Sequence, residues 1–167
     1  MFRRLADFSK TWEYESEATL KLLRVLTDTS LAQAVGPQHR TLGRLAWHVT
    51  QTIGEMMRQT GLDVQAPGDD APVPAHAAEI AAAYEKAAAS LDEEIRLDWS
   101  DKSLESEDDM YGQRWKRGET LQALIAHQAH HRGQMTVLMR PAGLAVPGVY
   151  GPSREEWAGM GMEPPAI

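Results

Sequence analysis

TLQALIAHQAHHRGQMTVLMR, Thr120 to Arg140, reads as one long helix. Glu119 and Thr120 start it, and Pro141 and Gly143 stop it. Three histidines, His127, His130 and His131, stand inside its apolar pattern. With His127 as zero, His131 falls at about +40°, Gln134 at about −20° and His130 at about −60° on the helical wheel. Leu124, Met135 and Leu138 flank the line shared by His127 and His131, so both rings face the core side one turn apart. His130 lies off that line, with Ala123, Ala126 and Val137. Gly133 costs the helix about 1 kcal/mol relative to Ala, which suggests a close helix approach there, with a dimer interface as one candidate.

Working outward, the rest of the chain supplies three more helices. From Leu5 to about Thr27 there is no Gly or Pro, and Leu5, Phe8, Trp12, Leu20, Leu23 and Leu26 recur at helical spacing. Thr41 is the expected N-cap of a second helix through Leu42, Leu45, Ala46, Val49, Ile53, Met56 and Met57, with Gly61 as its C-cap. Leu62 to Ala75 is rich in Pro and reads as a linker. A third helix, about Ala75 to Leu97, places Ile80, Tyr84, Ala87, Leu91 and Ile95 near a 3.6-residue period. Trp99 to Gly118 is polar and irregular, with a short hairpin or 3₁₀ turn expected around Met110 to Trp115. The tail from Gly143 is broken by Gly and Pro, leaving room for one turn near Ser153 to Ala158. The expected fold is all-α: a single domain over residues 1–167, a four-helix bundle with a long crossover connection between helices two and three and an irregular C-terminal tail.

Composition narrows the chemistry. The 167 residues include no cysteine, which excludes disulfides, thiolate metal sites and a Cys nucleophile, so any metal is held by His, Asp or Glu. A net charge of −7 argues against nucleic acid as a partner. No apolar run approaches the roughly 18 to 20 residues that span a bilayer. The opening MFRRLADFSKTWEYE has no apolar h-region, so no membrane association and a cytoplasmic location are expected.

Two imidazoles four apart on a helix can point at one metal ion, and a third ligand is most naturally His48, in the apolar frame of the second helix. Three neutral imidazoles suit Zn²⁺, Ni²⁺, Fe²⁺ or Co²⁺ and leave a coordination position open. Yet a histidine on an apolar face is more commonly a hydrogen-bonded core residue, and HxxxH pairs arise by chance. Spacing alone leaves both readings standing. HExxH, with its Glu base, is absent. Glu55 is the candidate general base, one helical heptad after His48, and an ion-pair or surface role suits it equally. Gln134, a heptad after His127, is the other polar group near such a site, as a catalytic residue or as a partner orienting a ligand. Packing or a hydrogen bond is the expectation for His130, and solvation for His39 and His76. Trp47 and Trp115 are core or pocket aromatics, the methionines adaptable core, Arg132 and Arg140 partners for the acidic tail, and Tyr150 either a cover for the metal or an anchor for the tail.

Several words in the sequence resemble the DinB/YfiT-like family: Gly112-Gln-Arg-Trp-Lys-Arg-Gly118, His127-Gln-Ala-His-His-Arg-Gly-Gln134, Leu138-Met-Arg140 and Val146-Pro-Gly-Val-Tyr-Gly-Pro152, with Leu42-Gly-Arg-Leu-Ala-Trp-His48 similar to that family's first histidine region. The likeness covers essentially the whole chain. It implies a four-helix bundle, commonly a homodimer, with a divalent transition metal (Zn, Ni or Fe foremost) held by His48, His127 and His131. This family shares only a label with the translesion DNA polymerase. The resemblance also implies a metal-dependent enzyme, a thiol-dependent transferase or a hydrolase, acting on a small-molecule substrate such as a low-molecular-weight thiol. The alternative is a non-enzymatic metal or small-ligand binding protein made under stress.

Overall fold

The structure is a computed structural model that describes residues 1–166. Four helices carry it: α1 (Leu5–Arg24), α2 (Leu42–Arg58), α3 (Ala77–Asp98) and α4 (Arg117–Met139), with a two-stranded hairpin, β1 (Glu107–Met110) and β2 (Gln113–Lys116), ahead of α4. Each helix buries the stripe its sequence marks, for example Ile80, Tyr84, Ala87, Leu91 and Ile95 on α3. The ends are set by local chemistry. Thr41 accepts the Arg44 N–H at 3.1 Å and so caps α2. Beyond the other end, Gly61 takes φ +85°, the Gly61 N–H reaches Arg58 O at 3.1 Å and the Leu62 N–H reaches Met57 O at 3.3 Å, a Schellman stop. Gly143 and Leu144 close α4 in the same way, onto Arg140 and Met139. α1 ends three residues before the expected Thr27, and a 3₁₀ turn, Asp28–Ala32, follows under a reciprocal Thr27/Ser30 cap.

α1 packs against α3 and α4, and α2 packs against the same two, so α1 and α2 occupy opposite corners. Cross-helix bonds give the directions. The Trp12 indole donates to Ala88 O at 3.0 Å while the Leu5 N–H donates to Asp101 at 2.8 Å, which makes α1 and α3 antiparallel. Phe2 meets Gly118, and Glu15 meets Arg132, so α1 and α4 run together. His48 lies beside His131 and Thr52 beside His127, so α2 and α4 are antiparallel. α2 and α3 therefore point the same way, and the chain between them must travel the full length of the bundle. It does so along α2: Ala66 lies over Gly54, the Gln51 amide donates to Gly68 O at 2.6 Å, and the Trp47 indole donates to Ala71 O at 2.9 Å. This up-down-down-up course is the crossover expected from the long linker. Trp47 is thereby fixed as a core residue that pins the linker.

In the polar stretch before α4, the hairpin is the alternative that forms. Glu107 pairs with Lys116 and Met110 with Gln113, around a two-residue loop in which Tyr111 (φ 54°) and Gly112 (φ 78°) both take positive φ. That backbone matches the twist of a tight hairpin. No neighbouring helix of the same chain approaches Gly133: among the described residues, nothing beyond its own helix backbone lies within 4 Å of where its Cβ would be. Close approaches to helix glycines occur instead at Gly54, over Ala66, and at Gly118, over the Phe2 carbonyl.

Candidate metal centre

The antiparallel contact of α2 and α4 brings His48, His127 and His131 together, with one nitrogen from each ring lying within 4.8 Å of the others. Ring centroids are 5.0 Å apart for His48 and His127, 4.7 Å for His48 and His131, and 4.4 Å for His127 and His131. The Nε2 atoms of His127 and His131 approach to 3.1 Å. Two metal–nitrogen bonds of ordinary length at a tetrahedral angle would set such atoms about 3.3 Å apart. The donor set and its spacing fit a divalent cation. His130 stays outside this cluster, on the exposed side of α4.

Hydrogen bonds fix which nitrogens face inward. His131 Nδ1 lies 2.8 Å from Gln134 Oε1, so the ring donates there and keeps the Nε2 lone pair for the centre. The Gln134 amide in turn donates to His130 Nε2 at 3.0 Å. Burial holds the imidazoles neutral. It pushes His48 down to about 4, helped by the neighbouring rings and by Arg40 and Arg44. His127 is likewise pushed to about 4 by burial, then by His131, His130 and Arg40. His131 is lowered by burial too, against the opposing pull of Gln134. Neutral rings are the form that binds a metal.

The centre stands between two clefts. On one side, His48 and His127 open into a space of about 350 Å³ lined by Thr52, Glu55, Met56, Tyr111 and Trp115. On the other, His131 opens into a space of about 520 Å³ between α4 and the chain leading into α2. Glu55 thus faces the same cleft as two of the histidines, but its carboxylate is engaged: Tyr111 donates to both oxygens, at 2.9 and 3.0 Å, and Gln59 to one at 3.2 Å. Burial, then Glu55 itself, pushes the Tyr111 hydroxyl up to about 12. Sequence spacing gave no sign of Tyr111, because only the hairpin carries its ring to α2. Arg40, on the second cleft, likewise carries no signal in the spacing, because it sits in a loop, outside any helical count.

Behind the centre lies a buried polar spine. Gln128 is fully buried, donates to Val49 O at 2.8 Å and accepts from the Tyr84 hydroxyl at 3.1 Å. Arg132 pairs with Glu15 of α1 rather than with a carboxylate of the tail, and Tyr150 joins them, its hydroxyl bonded to Arg132 and 2.8 Å from Glu15 Oε2. Tyr150 is therefore a tail anchor. Arg140 does meet the acidic tail, at Glu155, 3.6 Å away. His76 is solvent-facing and paired with Asp28 at 2.8 Å.

Comparison with known proteins places the whole chain. Over its full 167 residues the chain is 49% identical to "Uncharacterized protein YrdA" of Bacillus subtilis strain 168, covering all of both. It is also 46% identical to a crystal structure of a DinB-like protein from Bacillus cereus ATCC 10987, with a TM-score of 0.87 over 90% of this chain and all of that one. A second DinB-like structure, YjoA of Bacillus subtilis, shares only the fold: 17% identity and a TM-score of 0.67, over 86% of this chain and 96% of that one. The DinB family model matches residues 1–165, and with it the helices that carry all three clustered histidines, so the chain belongs to the DinB family.

Proposed function

We propose that this chain is a metal-dependent enzyme with an open three-histidine site, acting on a small molecule by thiol-dependent transfer or by hydrolysis. One observation carries the reading: three imidazoles held neutral converge on a point that two clefts reach. Three protein ligands leave a coordination position for substrate, which is the arrangement of a catalytic centre rather than a closed structural one. A divalent cation bound there would act as a Lewis acid, lowering the pKa of a water or thiol toward neutrality.

The chain's own residues divide the remaining work. His48, His127 and His131 would hold the ion, and Gln134 sets the orientation of His131. Glu55 is the carboxylate best placed to take a proton in the first cleft, while Tyr111 holds it in position. Trp115 and Met56 give that cleft apolar walls.

The test loads the protein with zinc, nickel or iron and assays it with thiols plus electrophiles and with esters and amides. Turnover in the native chain that His48→Ala abolishes supports the reading. Stoichiometric metal without turnover above His48→Ala across the whole panel would instead make the bundle a metal-binding container.

A further inference from the structure

The second cleft has a character of its own. In a chain of net charge −7, none of its lining residues is acidic. Its rim carries Arg40, with His39 beside it and His130 across from it, and its floor is apolar, built from Leu45 and Leu138. Val35 and Val137 line it too and are 69% and 61% exposed, a high degree of exposure for β-branched apolar side chains. Neighbouring arginines are engaged: Arg44 donates to Gln51 at 2.8 Å and Arg58 pairs with Asp69 at 2.6 Å. Among the described residues Arg40 has no such partner, and it lies close enough to bear electrostatically on all three clustered histidines. Glu55, the carboxylate beside His48 and His127, lines the other cleft.

We infer that this cleft is the binding site of a small anion with an apolar body, its acid group paired with Arg40 and its apolar part lying over Leu45, Val137 and Leu138. Charge balance leads there. Three neutral imidazoles around a divalent ion leave its charge uncompensated, and Arg40 adds to it, so the complementary ligand is negative. The apolar floor and rim supply the area that gives such a ligand affinity beyond the ion pair. A guanidinium at the rim accepts carboxylate, sulfonate or phosphate through the same fork of donors, so the class is defined by charge and apolar bulk. The inference rests on the metal-site reading and names the substrate class of that site.

The experiment is calorimetric titration of zinc-loaded and metal-free protein with hexanoate, hexyl phosphate, acetate and hexylamine, comparing the native chain with Arg40→Gln and Arg40→Lys. Arg40 is exposed, so these variants keep the fold, which thermal melting checks. Hexanoate or hexyl phosphate is expected to bind more tightly than acetate or hexylamine, and Arg40→Gln to weaken the better anion about tenfold, with Arg40→Lys intermediate. Which of the two anions binds better identifies the acid group. Equal binding by native and Arg40→Gln protein, or equal binding of hexylamine, would overturn the inference. Failure of the metal-site reading has a different signature: no stoichiometric zinc, with the Arg40-dependent anion binding still present in metal-free protein.

Discussion

The Nδ1 atom of His131 lies 2.8 Å from the side-chain oxygen of Gln134, one turn further along α4. That bond fixes the tautomer of a ring whose other nitrogen faces His127, so Gln134 governs a lone pair it never touches. Outer partners of metal-binding histidines typically account for 10- to 100-fold in affinity, and Gln134 is solvent-exposed, so Gln134→Leu is expected to weaken zinc binding about tenfold. Gln134→Glu keeps the acceptor and should retain native affinity. Competition with a chromophoric chelator measures both. Equal affinity for Gln134→Leu and the native chain would remove Gln134 from the site.

The metal-free protein should lose stability in acid through the same rings. His48 and His127 titrate near 4 in the folded chain, against 6.5 for the ordinary side chain. Between those values the unfolded chain takes up protons that the folded chain refuses, so stability falls as pH drops from about 6.5 toward 4. Above about 6.5 both states are neutral and this effect is absent. Urea midpoints at pH 7 and pH 5 check it, with a His48→Ala/His127→Ala double variant as control. The native midpoint should drop more than that of the variant, and parallel drops would assign the acid sensitivity to other groups.

Much of this was legible in the residues, because helices announce themselves by period. The apolar stripes, the Thr41 cap, the Gly61 stop and the crossover all follow from spacing and turn chemistry. The angular separation of His130 from the His127/His131 line follows from the same count. What spacing does not carry is anything that depends on which helices touch. Gln128 looks like a surface glutamine one place from His127, yet it is the buried joint between Val49 and Tyr84. Tyr111 and Arg40 reach the site from a hairpin and a loop, and Arg132 finds its carboxylate in Glu15 rather than in the tail because α1 and α4 run side by side.

That last pairing is buried and shared, which makes it sensitive to partial removal. Arg132 donates to the Glu15 carbonyl at 2.8 Å and to the Thr19 hydroxyl at 3.1 Å, besides meeting the Glu15 carboxylate. Arg132→Ala leaves Glu15 charged and unpaired, a loss of about 3–5 kcal/mol in urea denaturation. Tyr150→Phe removes one hydroxyl and should cost about 1 kcal/mol. Replacing both charges, as Glu15→Leu/Arg132→Met, should recover most of the loss. A double variant no more stable than Arg132→Ala would mean that the pair contributes through packing rather than charge.

Two glycines on α4 should respond in opposite directions. Among the described residues nothing crowds the position of the Gly133 side chain, and its backbone is helical. Gly133→Ala should therefore raise stability by about 1 kcal/mol, the ordinary gain in helix propensity. Gly118 lies against the N-terminal segment, where an added Cβ would sit 2.2 Å from the Phe2 carbonyl oxygen. Backbone must shift to admit it, so Gly118→Ala should cost about 1–3 kcal/mol and loosen the bond from the Phe2 N–H to the Gly118 carbonyl. Thermal melts of the two variants at one protein concentration test the pair. Sedimentation adds a second readout for Gly133. If Gly133→Ala lowers stability and also shifts the chain toward monomer, a second copy of the chain packs on that face of α4, and the glycine is kept for a contact between subunits.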